Sequence, residues 1–200
     1  MRNHPIPPVT ESLQYRAIGI VRGIYCPTDE KQFTRGRLID EKGEGIEAVV
    51  LGRVITLMRR HLAMDQPHLW VVYPRCRQAN FLHLQIAGIW EPSTLGSNSE
   101  GKLASDDSLQ EGDDYFSVRG ELIYTRPETS DLVVKIRQQS RPQGSHSLPF
   151  KLKLKGDIPL EQLRKFVSLN VRRCGQELHL ENYEIIGSIL RRGGRGGSAG

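Results

Sequence analysis

The chain is short of cysteine, of aromatic residues and of long apolar runs, and each shortage closes a class of protein. Its three cysteines (Cys26, Cys76, Cys174) are odd in number and far apart in 200 residues. With no CxxC pair and no His/Cys cluster at ligand spacing, neither a disulfide framework nor a common zinc site is expected. The most apolar stretch, "AVVLGRVITLM", is broken by Arg53 and is too short to span a bilayer. The opening "MRNHPIPPVTES" has no apolar core of the signal-peptide kind. The expectation is a soluble cytoplasmic protein in a reducing compartment, with no membrane insertion. Enzyme signatures are missing too: no GxSxG, P-loop, HExxH or GxGxxG before a helix occurs. No catalytic residue, no metal and no cofactor is therefore expected. His83 and His179, each between two leucines of an alternating strand, should face outward, and His61 borders an apolar helix face. Asp106, Asp107, Asp113 and Asp114 read as solvated acids.

What the chain does have is unevenly spread positive charge. Residues 1–134 carry 15 Lys/Arg against 18 Asp/Glu, a net of −3, and residues 135–200 carry 13 against 5, a net of +8. The overall +5 and pI near 9.2 thus come from the last third, and point mildly toward an anionic partner.

Hydrophobic periodicity divides the chain in two. Residues 14–25, 32–40, 46–52, 69–74 and 81–90 read as strands, with a helix-period stretch "RVITLMRRHLAM" between the third and fourth. Residues 115–125, 132–139, 149–156, 167–173 and 177–186 repeat the pattern, with a short helix-like "PLEQLRKF" in the corresponding place. "VRG" recurs in the first strand of each half (21–23, 118–120), and "LHL" in the last (82–84, 178–180). Two modules of order β-β-β-α-β-β make duplication plausible. That is the order of the OB-fold, a small Greek-key barrel. Gly23 and Gly120 suit a first strand that bends to join both sides of such a barrel. The expected layout is a mainly β protein of two tandem OB-like barrels: a disordered tail 1–12, module one at 13–91, an acidic flexible linker 92–114, module two at 115–187, and a disordered Arg/Gly tail 188–200. The alternative is one larger β-barrel or sandwich with 92–114 as a long insertion.

Three basic features are candidates for binding. In "PFKLKLKG" the leucines and lysines alternate, so Lys151, Lys153 and Lys155 share an outer face with Lys135 and Arg137 of the preceding strand, and Arg119 and Arg172 extend it. OB barrels bind oligonucleotides on that face, although lysines also protect exposed strands from edge pairing. The row offers no aromatic residue for base stacking. In module one, Phe33, Arg35 and Arg37 project from one face of "FTRGR", and Tyr73, Arg75 and Arg77 stand at "YPRCR", a mixture that can stack bases and hold phosphates. The competing reading puts Phe33 in the core and the arginines on Asp29, Glu30 or Glu44. Last, "RRGGRGGSAG", with Arg191, Arg192 and Arg195, resembles a short RGG segment of the RNA-binding kind, or is a solubilising terminus.

The runs "YRAIGIVRGIY", "FTRGRLI", "VVLGRVITL", "PHLWVVYPR" and "LQIAGIWEP", continued by "DYFSVRGELIY", "VVKIRQ" and "PFKLKLKG", resemble a conserved family of cyanobacterial proteins over residues 13–187. The resemblance implies no activity and no binding residues of its own; the likeness to single-strand-binding OB proteins is architectural. Two functions stay open. One is a non-catalytic binder of single-stranded nucleic acid, RNA rather than DNA because of the tail. The other is a protein-binding adaptor that docks its barrels on an assembly, motivated by the few aromatics and the acidic first half. Oligomeric state and base preference leave no mark in the pattern.

Overall fold

Alternating apolar and polar residues give strands with one face buried, and β-branched residues fill that face well. The computed structural model describes residues 4–29, 31–77, 81–91, 109–138 and 148–189. The first half comprises β1 (Arg16–Pro27), β2 (Arg35–Ile39), β3 (Gly45–Val50), α1 (Gly52–His61), β4 (His68–Arg77) and β5 (Phe81–Ile89). The second comprises β6 (Tyr115–Arg126), β7 (Asp131–Ile136), β8 (Phe150–Lys155), β9 (Lys165–Cys174) and β10 (Glu177–Ser188).

Each half closes on itself. Pairing runs β1-β2-β3-β5-β4 and back to β1, then β6-β7-β8-β10-β9 and back to β6. The pairs β3–β5 and β8–β10 are parallel, and the rest are antiparallel. These are two five-stranded OB barrels. The single-barrel alternative is excluded, yet the barrels are not separate beads. β1 also pairs with β6 across the junction, Ala17 opposite Val118 and Gly19 opposite Phe116, so all ten strands form one continuous sheet.

The first strand of each barrel changes partner part-way. β1 pairs with β4 through residues 19–23 and with β2 from Ile24 onward. β6 pairs with β9 up to Glu121 and with β7 from Glu121 onward. Gly23 and Gly120 stand at these hand-overs. A Cβ on Gly23 would lie 2.4 Å from the Ile39 carbonyl oxygen, and one on Gly120 would lie 2.5 Å from that of Lys135. Only glycine permits so close an approach, and the two "VRG" tripeptides occupy equivalent places.

The modules differ at the α position. α1 buries Val54 and Met58 in the first core and carries Arg59, Arg60 and His61 in its last turn, where cations complement the helix dipole. "PLEQLRKF", expected as a helix, forms only a 3-10 turn at Leu160–Gln162. Ile158 is already buried and its carbonyl accepts the Thr125 hydroxyl, while β9 takes the chain from Lys165. Too few residues remain for a helix to sustain itself.

One apolar core runs through both barrels, from Val21, Trp70 and Ile86 to Val118, Leu152 and Leu169. A smaller cluster of Ile6, Ile18, Ile20 and Leu69 lies outside β1 and β4, with Tyr73, Trp90, Leu109 and Tyr115 packed on it. Residues 4–12, where the prolines suggest a loose tail, therefore lie against the protein: Ile6 is buried, and Pro7 and Ser12 accept hydrogen bonds from Arg16 and Arg119. Of the acidic stretch 92–114, residues 92–108 lie outside the described residues. Its last residues engage both barrels. Asp113 binds Arg22, and Asp114 and Asp40 both bind Arg173, whose side chain is only 2% exposed. Among the described residues no helix is long and apolar enough to cross a membrane.

Candidate nucleic-acid interface

The inward residues of β2 and β3, Gly36, Leu38, Ile46 and Ala48, leave Arg35, Arg37 and Glu47 on the outside. β5 continues this face, because it lies beside β3 with His83 opposite Glu47. Phe81 and His83 stand on the side opposite the core residues Leu82 and Leu84, and Arg77 pairs with Phe81 across β4–β5. Together these side chains wall a groove of about 600 Å³. It occupies the face through which OB barrels take oligonucleotides.

The groove is equipped for an anion with a flat ring. Arg35 and Arg77 make no ion pair among the described residues, and Arg37 donates to the Gly45 carbonyl at 3.0 Å. Glu47 is the carboxylate on the wall. Phe81 is 65% exposed, an apolar ring held in solvent at the lip. His83 lines the groove yet is only 4% exposed, against the outward position expected for it. Burial, with Arg77 beside it, holds its imidazole below the usual histidine range. Its Nδ1 is buried and has no hydrogen-bond partner among the described residues.

Several expected site residues lie elsewhere. Phe33 does not stand beside Arg35 and Arg37: it precedes β2, so strand alternation does not reach it. Its ring packs on the first core, edge-on to Tyr25, with the Arg59 guanidinium 5.3 Å from its centre. Tyr73 belongs to the outer apolar cluster beneath the N-terminal segment. Arg75 leaves its neighbours and lies 3.8 Å over the Phe150 ring of the second barrel. Cys76, next to it, is half-buried, and burial pushes its thiol pKa up, away from nucleophilic use. The groove therefore keeps Arg35, Arg37 and Arg77 of the expected set and gains Phe81, His83 and Gln176. Phe81 was legible: "FLHLQI" alternates, and its outward half is Phe81, His83 and Gln85.

On the second barrel the alternation of β8 holds. Leu152 and Leu154 are buried and the three lysines face outward, with Lys135 opposite Lys151. Lys153 and Lys155 share Asp131 at 3.7 and 2.9 Å, and Lys135 pairs with Glu121 at 2.8 Å. Arg137 stands 5.8 Å from the Tyr15 ring. Two expected members do not join this face. Arg119 is buried, donating to the carbonyls of Ser12 and Gln14. Arg172 holds Glu181 through two nitrogens and the carbonyls of Glu111 and Asp113 through a third. Arg191, Arg192 and Arg195 lie outside the described residues. The row is not without an aromatic, however. A bulge between Leu122 and Tyr124 turns Tyr124 outward, 43% exposed, in register with Val133 and through it Lys153.

Two family models match the chain, in the places the barrels occupy. The PatR RNA-binding protein N-terminal OB-fold domain matches residues 17–97. The cyanobacterial OB-fold-like RNA-binding C-terminal domain matches residues 118–187. Each half of the chain thus matches an OB-fold model, consistent with a cyanobacterial family of OB-fold proteins. Both matched domains are described as binding RNA, which supports nucleic-acid binding and does not favour the adaptor reading. No match was found among curated proteins. Among the described residues no group of three or more His, Cys, Asp or Glu side chains is placed to hold a metal ion.

Proposed function

We propose that this protein binds single-stranded RNA without catalysis, through the outer groove of the first barrel. Arg35, Arg37 and Arg77 hold phosphates, and a base stacks on Phe81. The observation that carries this reading is the exposed Phe81 ring set among three guanidinium groups on the oligonucleotide face of an OB barrel. A flat ring accepts every base, so binding tolerates sequence. The RNA-binding descriptions of the two matching models support RNA over DNA.

Fluorescence anisotropy with labelled single-stranded RNA tests it. Phe81→Ala should weaken binding by a stacking contribution of about 1–3 kcal/mol at every salt concentration, with the salt slope unchanged. Phe33→Ala should leave affinity alone and lower stability instead. If Phe81→Ala binds as tightly as wild type, the groove is not where RNA lies.

A further inference from the structure

The groove does not end at the first barrel. Gln176, from the turn between β9 and β10 of the second barrel, closes one side of it and donates to the Gly45 carbonyl at 3.1 Å. A second cavity, of about 280 Å³, adjoins it and shares Phe81, Leu82 and Gln176 with it. The far wall of that cavity carries Lys153 and Lys155, with Glu177 as its carboxylate. From Lys153 the outer face continues across Val133 to the exposed ring of Tyr124. The barrels are held in this relation by the β1–β6 pairing, by Arg75 on Phe150 and by Arg173 on Asp40.

We infer that one RNA strand follows a single path over both barrels: it lies along Arg35 and Arg77, stacks at Phe81, crosses the seam at Gln176, and continues over Lys153 and Lys155 to stack again at Tyr124. This inference rests on the RNA-binding reading of the first groove and extends it. The chemistry alternates as single-strand recognition requires, cations for the backbone and flat rings for bases. The two lysines on the path now share Asp131. A backbone phosphate, with one negative charge shared over two non-bridging oxygens, can stand in for that carboxylate between the two ammonium groups. The path predicts that a strand long enough to leave the first groove gains contacts on the second barrel, with the first barrel binding short strands alone.

Oligouridylates of about 4 and about 15 nucleotides, the span of site sizes for one OB fold, separate the possibilities by fluorescence anisotropy. The long strand should bind wild type more tightly than the short one. Lys153→Gln with Lys155→Gln should leave the short strand unaffected. For the long strand it should flatten the salt slope by about 1.4, at 0.7 for each of two phosphates. Tyr124→Ala should weaken the long strand roughly tenfold at all salt concentrations and spare the short one. Circular dichroism checks that each variant is folded, and Tyr124, being exposed, supplies the independent variant if the lysine pair disturbs the fold. Equal affinity for both lengths, or lysine and tyrosine variants that leave the long strand unaffected, overturns the path while the first-barrel reading stands. Failure of wild type to bind either strand overturns both.

Discussion

Asp131 sits at the start of β7 and accepts hydrogen bonds from Lys155 and from the Thr129 hydroxyl, with Lys153 beyond. The Lys155 and Thr129 contacts are the main reasons its carboxyl is held down to about 2, from an ordinary value of 3.8. A carboxylate depressed by folding stabilises the fold above its unfolded pKa, and that contribution is lost as pH falls through the folded value. The loss therefore belongs between about pH 4 and pH 2. Asp40 acts in the same direction: burial opposes its charge, but the hydrogen bonds from Arg173 and from the backbone of Glu44 prevail. Asp114 has the opposite sign, since burial raises its carboxyl and its contribution falls as pH rises through that raised value. Asp131→Asn isolates the first effect. Its acid unfolding curve should lose the component between about pH 4 and pH 2, and it should bind long single-stranded RNA more tightly at the salt slope of wild type, because the same two ammonium groups reach phosphate without first leaving a carboxylate. An acid curve like wild type would mean that the ion pair does not persist in solution; an unchanged affinity for the long strand would mean that Lys153 and Lys155 do not meet RNA.

At the scale of elements, what alternation governs was legible and what interrupts alternation was not. The ten strands and α1 follow from apolar periodicity, and the lysine face of β8 from a strict two-residue repeat. Phe33 went wrong because β2 begins at Arg35, and Tyr124 was missed because one extra residue in β6 reverses the side on which it emerges. The 3-10 turn in place of a second helix reflects the competition of β9 for the same residues, which no local propensity encodes. Arg119 and Arg172 were misplaced for a third reason: the N-terminal segment and residues 109–114 cover the β1–β6 seam, a contact made only in three dimensions. Gly120 shows the legible side at its strongest. A Cβ there meets a backbone carbonyl, which cannot swing aside as a side chain would. Gly120→Ala should cost about 1–3 kcal/mol through overpacking, read as a lower urea midpoint at unchanged m-value. A variant as stable as wild type would show that the strand hand-over has room to spare.

For the whole molecule, the decisive fact is that strand pairing rather than the connecting segment sets how the two barrels sit. β1 pairs with β6, the core is continuous, and Arg173 is buried against Asp40 and Asp114, where losing a partner costs about 3–5 kcal/mol. Two RNA-binding barrels joined only by a tether would behave differently from two fixed on one sheet. In the tethered case the second contact depends on an effective concentration that falls as roughly the −3/2 power of linker length. In the fixed case linker length is irrelevant. We propose that residues 92–108 act only as a connection, and an insertion tests it: about 17 Gly/Ser residues added near the middle would double its length and weaken a tethered second contact about threefold. Here the affinity for a strand of about 15 nucleotides should stay as in wild type, as should the single cooperative thermal transition. A threefold loss, or a melt that splits in two, would mean that the β1–β6 pairing opens in solution and that the path over both barrels is assembled by RNA instead of being presented to it.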